Sequence, residues 1–216
     1  MPRTKSPQKT INKILYIASK LFSQKGFEQV KMQDIIDKLT TLGFTKGAIY
    51  HHFKNKEDIL QAILAQYEEQ IESIWRIQRS QINARDKLKN IMLAHIAHTF
   101  AHKSLIRSSL KILNSPYALA NRMQIAHNNL SPIIESIIEQ GNIDGSLSVA
   151  YPKPASQMLA WAVYVWLDNA FYPLSQSEYT HKIRHLRIMF EGVGLSVIDE
   201  EVSSEFLRLW REIIAD

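Results

Sequence analysis

Eight histidines and no cysteine set the side-chain chemistry available to this chain of 216 residues. Without thiols, neither a disulfide framework nor a thiolate metal site can form. His95, His98 and His102 follow i, i+3, i+7 spacing, which places them within about 60° of arc on one helix. Leu88 and Ile91 share that face, so the spacing aims these imidazoles inward. His127 falls on the inward stripe Met123, Leu130 and Ile134 of a later helix. Four inward imidazoles on two neighbouring helices could hold Zn²⁺ tetrahedrally. The same pattern also describes polar groups in a partly hydrated cavity, or hydrogen-bonded core histidines. A second metal-like unit, Glu178 with His181, has the Glu-x-x-His spacing of helical di-iron proteins. Those need two such units and two further inward glutamates. Only one unit is present, at the start of a helix, where a glutamate caps and stays solvated. No nucleophile elbow, phosphate-binding glycine loop or zinc-protease motif appears. The chain therefore reads as no enzyme, with no cofactor.

A different chemistry concentrates between Lys31 and Asp58. Residues 1–56 hold 11 Lys/Arg against 3 Asp/Glu, a net of +8, on a body whose remaining residues sum to −3. A basic first quarter suits a polyanion. The run GFTKGAIYHHFKNKE places a polar cap at Thr45, then Lys46, Gly47, Ala48, Tyr50, His51 and His52 around one short helix, followed by Lys54 and Lys56. Two helices precede it. That order is a helix-turn-helix, whose second helix enters the major groove of duplex DNA.

The elements that must position these residues are helical throughout. No proline falls between Pro7 and Pro116, and no glycine between Gly47 and Gly141, so strand-ending breakers are missing where short strands would need them. Ile11, Ile14, Leu15, Ala18, Leu21 and Phe22 mark a first helix closed by Gly26, and Ile35, Ile36 and Leu39 a second. A helix over 56–80 joins a DNA-binding domain, 1–56, to a ligand-binding and dimerisation domain, 57–216. Further helices are expected at 84–102, 104–113, 116–140, 153–172, 177–197 and 200–214. The helix over 153–172 is apolar on two sides, with Trp161, Val165 and Tyr172 on one and Leu159, Val163, Trp166 and Ala170 on the other. A helix apolar nearly all round is buried on both sides. One cover is the core and the other a second copy of the chain, which makes Leu159, Val163, Trp166, Ile183, Leu186, Phe190 and Val193 the expected dimer contacts. The aromatics and methionines Trp75, Phe100, Met123, Met158, Trp161 and Tyr164 suit core. They also suit a pocket for an apolar or cationic effector, mainly apolar with a few polar anchors. Such a pocket would draw on His95, His98, Phe100, His102, Met123, His127, Trp161 and Asp168. The N-terminus lacks the apolar run of a signal peptide, and the longest apolar stretch, Met158 to Leu167, is too short to span a bilayer. A cytoplasmic protein with no membrane partner is expected.

The runs ILYIASKLFSQKGFEQV, MQDII and LGFTKGAIYHHFKNKEDIL resemble the tetracycline-repressor (TetR) family of bacterial transcriptional regulators. The resemblance implies an all-α homodimer that binds a palindromic operator and releases it when a small molecule enters the C-terminal domain. It implies that Thr45 caps the recognition helix and touches a phosphate, and that Gly47 of the Lys46-Gly47 pair lets the backbone approach DNA. Tyr50, and Lys56 at the start of the fourth helix, would bind phosphates, with His52 polar ahead of a buried Phe53. Two positions depart from the pattern. Lys31 stands where the family opens its second helix with Ser or Thr, offering charge but no side-chain cap. The segment from Ile36 to Gly43 is about three residues longer than usual, nearly one turn, which extends the second helix through Thr41 and bears on the tilt of the third.

Overall fold

The computed structural model describes residues 7–76, 82–107, 116–168 and 174–214, and among them every regular element is a helix. The fold is all-α, with an N-terminal helix-turn-helix and a C-terminal helical domain. The chain forms two compact units, Met1–Gln70 and Ile71–Asp216, divided inside a helix rather than at its start.

The first unit holds α1 (Pro7–Lys25), α2 (Met32–Thr40), α3 (Lys46–His52) and most of α4 (Lys56–Trp75). Its core is the apolar stripe of each helix: Ile14, Ala18 and Phe22 from α1, Ile35, Ile36 and Leu39 from α2, Ile49 from α3, and Ile59, Leu60 and Ile63 from α4. Phe22 meets Phe27 edge to face at 5.1 Å between ring centroids. α2 stops at Thr40 and is followed by a turn rather than by further helix. Gly43 sits at φ +80°, the Phe44 amide donates to the Leu39 carbonyl, and the Gly43 amide donates to Thr40. This is a Schellman end, which satisfies two orphan carbonyls and requires a left-handed residue.

The second unit begins with the end of α4 at Trp75; residues 77–80 of the expected 56–80 helix lie outside the described residues. It continues with α5 (Ala84–Ala101) and a helical stretch over 103–107, with the rest of the expected 104–113 helix outside the described residues. α6 (Pro116–Ile125) leads through a π-helical turn, Ala126–Leu130, into α7 (Ser131–Asp144). α8 (Pro152–Trp161) passes into a second π-turn, Ala162–Trp166; α9 (Gln176–Gly192) and α10 (Glu200–Ile214) complete the unit. Leu88, Met92, Ile134, Ile138, Leu159, Leu186 and Val202 form its fully covered centre. Polar ties fix the start of α5. The Ala84 amide donates to Asp144, the Arg85 guanidinium to the Ser196 carbonyl at 2.8 Å, and Lys89 pairs with Asp199 and Glu201.

The two π-turns overturn several expected faces. A π-turn adds one residue to a turn, so neighbours along its face run i, i+5 instead of i, i+4. Ile125 and Ala126 are buried and lead to Leu130 and Ser131, while Met123 and His127 point to solvent. The stripe that placed Met123 and His127 inward held only downstream of the turn. In α8, Trp161 and Trp166 stack at 6.1 Å instead of lying on opposite faces. The helical path of 153–172 gives way to a turn at Leu167 and Asp168, and Ala170 and Tyr172 lie outside the described residues. Of the expected dimer contacts, Leu159, Ile183, Leu186 and Phe190 are within 2% of full burial inside this one chain. They are core, because the i, i+3, i+7 stripe of α9 packs against its own unit. Val163 and Trp166 are half-buried, and only Val193 is exposed.

Candidate nucleic-acid interface and interior polar cluster

α3 is a two-turn helix whose start is fixed by its own sequence. Thr45 is extended (φ −86°, ψ 149°) and its hydroxyl accepts from the Ala48 amide at 3.2 Å, capping the helix. Ile49 is fully buried and Phe53 nearly so. That anchoring turns the remaining positions outward. Lys46, Gly47 and His51 are exposed, Ala48 and His52 less so, and Tyr50 is 42% exposed with the Lys46 ammonium 5.9 Å from its ring centre. A Cβ built on Gly47 would meet nothing within 4 Å, so this face is open on its own chain. His51 and His52 meet edge to face at 5.1 Å.

Flanking residues settle differently. Lys31 is exposed and precedes α2 in an extended conformation, and the Asp34 carboxylate accepts from the Lys31 amide at 2.8 Å. The capping that Lys31 cannot supply comes from inside the helix. Lys54 is exposed, with its amide held by Asp58. Lys56 is engaged within its own unit. Its ammonium donates to the Phe27 carbonyl at 2.9 Å, and lies 4.3 Å from the Phe27 ring centre. The turn between α1 and α2 leaves carbonyls without helical partners, and Lys56 satisfies them from across the unit. In doing so it braces the motif.

In the second unit, the expected effector residues separate into an inner and an outer group. The Trp75 indole donates to His95 Nδ1 at 3.1 Å, and the imidazole meets the Tyr164 ring edge to face at 5.9 Å. On α6, Arg122 pairs with Asp168, which directly follows the second π-turn; the guanidinium also lies 5.8 Å from the Tyr164 ring centre. Trp75 and Tyr164 belong to the aromatic set that the sequence offered for a pocket. Arg122 was not among the expected residues, and Tyr164 lies within the second π-turn, with Asp168 just after it. His98 and His102 stack at 4.3 Å near the end of α5, and Phe100 lies between Lys103 and Arg208, a cation–π sandwich facing α10. Trp161 belongs with Trp166 instead, whose carbonyl and ring are both engaged by Lys182. Met123 and His127 are outside the cluster altogether. Among the described residues no three His, Asp or Glu side chains are placed to hold a metal ion. With His127 turned to solvent and His95 Nδ1 taken by Trp75, the tetrahedral histidine set does not assemble. Glu178 forms a capping box with Ser175, accepting from its amide at 2.8 Å, and His181 is exposed. Among the described residues no helix is long and apolar enough to cross a membrane.

Burial, joined by the charges of His98 and Arg122, holds the His95 imidazole down at about 3 from its ordinary value near 6.5. The folded ring stays neutral while the unfolded ring takes a proton below about pH 6.5, so the unfolded chain binds more protons in that window. The stability His95 supplies is complete above pH 6.5 and is lost as pH falls toward 3. At about 1.4 kcal/mol per unit, a change from pH 7 to pH 5 should lower stability by about 2 kcal/mol through this residue. Urea midpoints at the two pH values check it, and His95→Gln should remove that share of the slope.

Residues 14–63 match the family model described as bacterial regulatory proteins, tetR family. A probable HTH-type transcriptional regulator of Pseudomonas putida, ArpR, is 34% identical over 180 residues, covering 77% of this chain and 81% of ArpR. The HTH-type transcriptional regulator UidR of Escherichia coli is 28% identical over 99 residues, 46% of this chain, and the chain spans about half of UidR's length (49%). A solved TetR-family regulator from Pectobacterium atrosepticum superposes with a TM-score of 0.63 at 18% identity, covering 89% of this chain and 98% of that one.

Proposed function

The chain belongs to the TetR family of bacterial transcriptional regulators, DNA-binding repressors that are typically ligand-responsive and not enzymes, and on that premise we propose that it is a homodimeric, cytoplasmic repressor of a palindromic operator, released by a small-molecule effector. The observation that carries this reading is α3. Ile49 anchors it from below, Thr45 caps it, and Lys46, Gly47, Tyr50 and His51 stand on an open face of a unit rich in lysine. Lys46, Tyr50, Lys31 and Lys54 supply phosphate contacts, which fix register without reading sequence. Ala48, His51 and His52 stand where base edges would be read, and Thr45 adds a phosphate contact to its capping role. Lys56 acts from behind, holding the turn before α2.

Dimerisation is assigned to a groove instead of the buried stripe of α9. Tyr151, Pro154 and Met158 at the start of α8 face Met189 and Val193 at the end of α9, around about 510 Å³ lined mainly by apolar side chains. Met158 is 45% and Val193 51% exposed. Exposed apolar patches of this kind mark interfaces, and the family acts as dimers. The cluster around His95, Tyr164, Arg122 and Asp168 is the proposed effector site, with α4, which carries Trp75, as the element through which occupancy reaches the first unit. The domains proposed are a DNA-binding one, 1–56, and an effector and dimerisation one, 57–216, with α4 belonging in part to each. Selection from a pool of random duplexes, followed by gel shift at moderate salt, tests the core of the proposal. A palindromic consensus bound at least a hundredfold tighter than random DNA is expected. Enrichment of no sequence at all would overturn it.

A further inference from the structure

The interior cluster has a polarity of its own. Trp75 donates to His95 Nδ1, which forces the imidazole proton onto Nε2 and makes that nitrogen a donor. Among the described residues the Trp75 indole is the one group bonded to this ring, on a residue that is half-buried. Arg122 is the nearby full positive charge, and it opposes protonation of His95. Tyr164 lies against both Arg122 and His95, so the donors converge on one aromatic plate. The only carboxylate paired with Arg122 among the described residues is Asp168, at the outlet of the second π-turn. π-turns interrupt otherwise regular helices and occur frequently at functional sites. Here α6 and α8 each carry one, and the ion pair joins those two helices.

We propose that the effector is a small organic anion, whose carboxylate takes Arg122 in exchange for Asp168 and whose apolar body lies against Tyr164, with His95 Nε2–H as the second donor. This rests on reading the cluster as the effector site. A planar carboxylate matches the guanidinium fork in two parallel hydrogen bonds, and the exchange frees Asp168. Because Asp168 closes the turn after α8, ligand occupancy and the position of that turn become mutually exclusive alternatives. A ligand that favours one of two arrangements shifts the population by its differential affinity alone. A cationic ligand would instead need Asp168 and would meet the Arg122 guanidinium.

The test uses the full chain with three probes of one skeleton, benzoate, benzylammonium and benzyl alcohol. Binding is read by tryptophan fluorescence, to which Trp75 reports, and by thermal shift; operator affinity is measured alongside. Benzoate should bind at least tenfold tighter than the other two. Asp168→Asn, which removes the competing carboxylate, should tighten benzoate about tenfold further, and Arg122→Met should lose it at least tenfold. Should Asp168→Asn fail to fold, the ranking of the probes on the wild-type chain and on Arg122→Met decides alone. Benzylammonium binding tightest, benzoate unaffected by Arg122→Met, or no binding by any probe up to its solubility limit would each overturn the anion site. Benzoate that binds through Arg122 without changing operator affinity overturns the effector reading and leaves the anion site standing. Operator release by benzylammonium or benzyl alcohol but not by benzoate does the reverse.

Discussion

Gly47→Ala should raise the stability of the protein slightly and weaken operator binding at least tenfold. The two halves of that result separate fold from function. Gly47 has ordinary helical geometry, and a Cβ there meets nothing of its own chain within 4 Å. Alanine is about 1 kcal/mol better than glycine inside a helix, so nothing in the isolated protein opposes the change. A loss of affinity must then come from an external surface pressed against the backbone at that point, which is how glycine serves close approach. Lys46→Ala and Tyr50→Phe complete the argument on the same helix. Each removes one proposed phosphate contact and should weaken binding to all sequences alike. The slope of log affinity against log salt should fall by about 0.9 per lost contact on each recognition helix. His51→Ala should instead change which bases are preferred, by about 1–3 kcal/mol at one position. Melting curves and gel shifts on these variants check the set. Gly47→Ala binding its operator as the wild type does would place that face away from DNA.

The first unit was legible in the sequence because local signals and tertiary packing agree there. Thr45 caps, Ile49 and Phe53 anchor, and Gly43 ends the preceding helix by the left-handed turn that its type allows. The second helix was expected through Thr41; it is regular to Thr40, Thr41 keeps the helical bond to Asp37, and a Schellman end at Gly43 closes it. The exposed lysines were legible as charge, yet charge does not reveal which ammonium a neighbouring carbonyl will recruit, and Lys56 was recruited by Phe27. The second unit was less legible for one physical reason. Helical stripes are drawn at a fixed period, and the two π-turns each add one residue to it. Before and within the first, Met123 and His127 rotate out; across the second, Trp161 and Trp166 come together and Asp168 is carried to Arg122. No residue type announces a π-turn, so the cluster of Trp75, His95, Tyr164 and Arg122 could not be drawn from spacing. Apolarity had a similar limit on α9: Ile183, Leu186 and Phe190 showed that a face is covered, without showing that the cover is the same chain.

That distinction gives the second large expected effect. Met158→Asp combined with Val193→Asp should convert the protein to a monomer that keeps nearly its full thermal stability, and should lower operator affinity a hundredfold or more. Both side chains are about half exposed beside the groove between α8 and α9, so a carboxylate placed there stays hydrated in the single chain. Buried against a second copy it would face another apolar surface, and four unpaired charges would be desolvated at one symmetric contact, each costing several kcal/mol. The loss on DNA follows from linkage rather than from any damaged contact. A dimer delivers its second recognition helix about one turn, 34–36 Å, from the first, and the second half-site is then met at an effective concentration that free monomers do not reach, a gain of about 10²–10⁴. Phe190→Asp provides the contrast. That ring is 2% exposed inside its own unit, so the charge has no hydrated alternative, and this variant should unfold instead of dissociating. Sedimentation equilibrium and melting curves on the two variants distinguish the cases. A Met158→Asp, Val193→Asp protein that remains dimeric would move the interface to another face, and a Phe190→Asp protein that melts like the wild type would show that the stripe on α9 is not core.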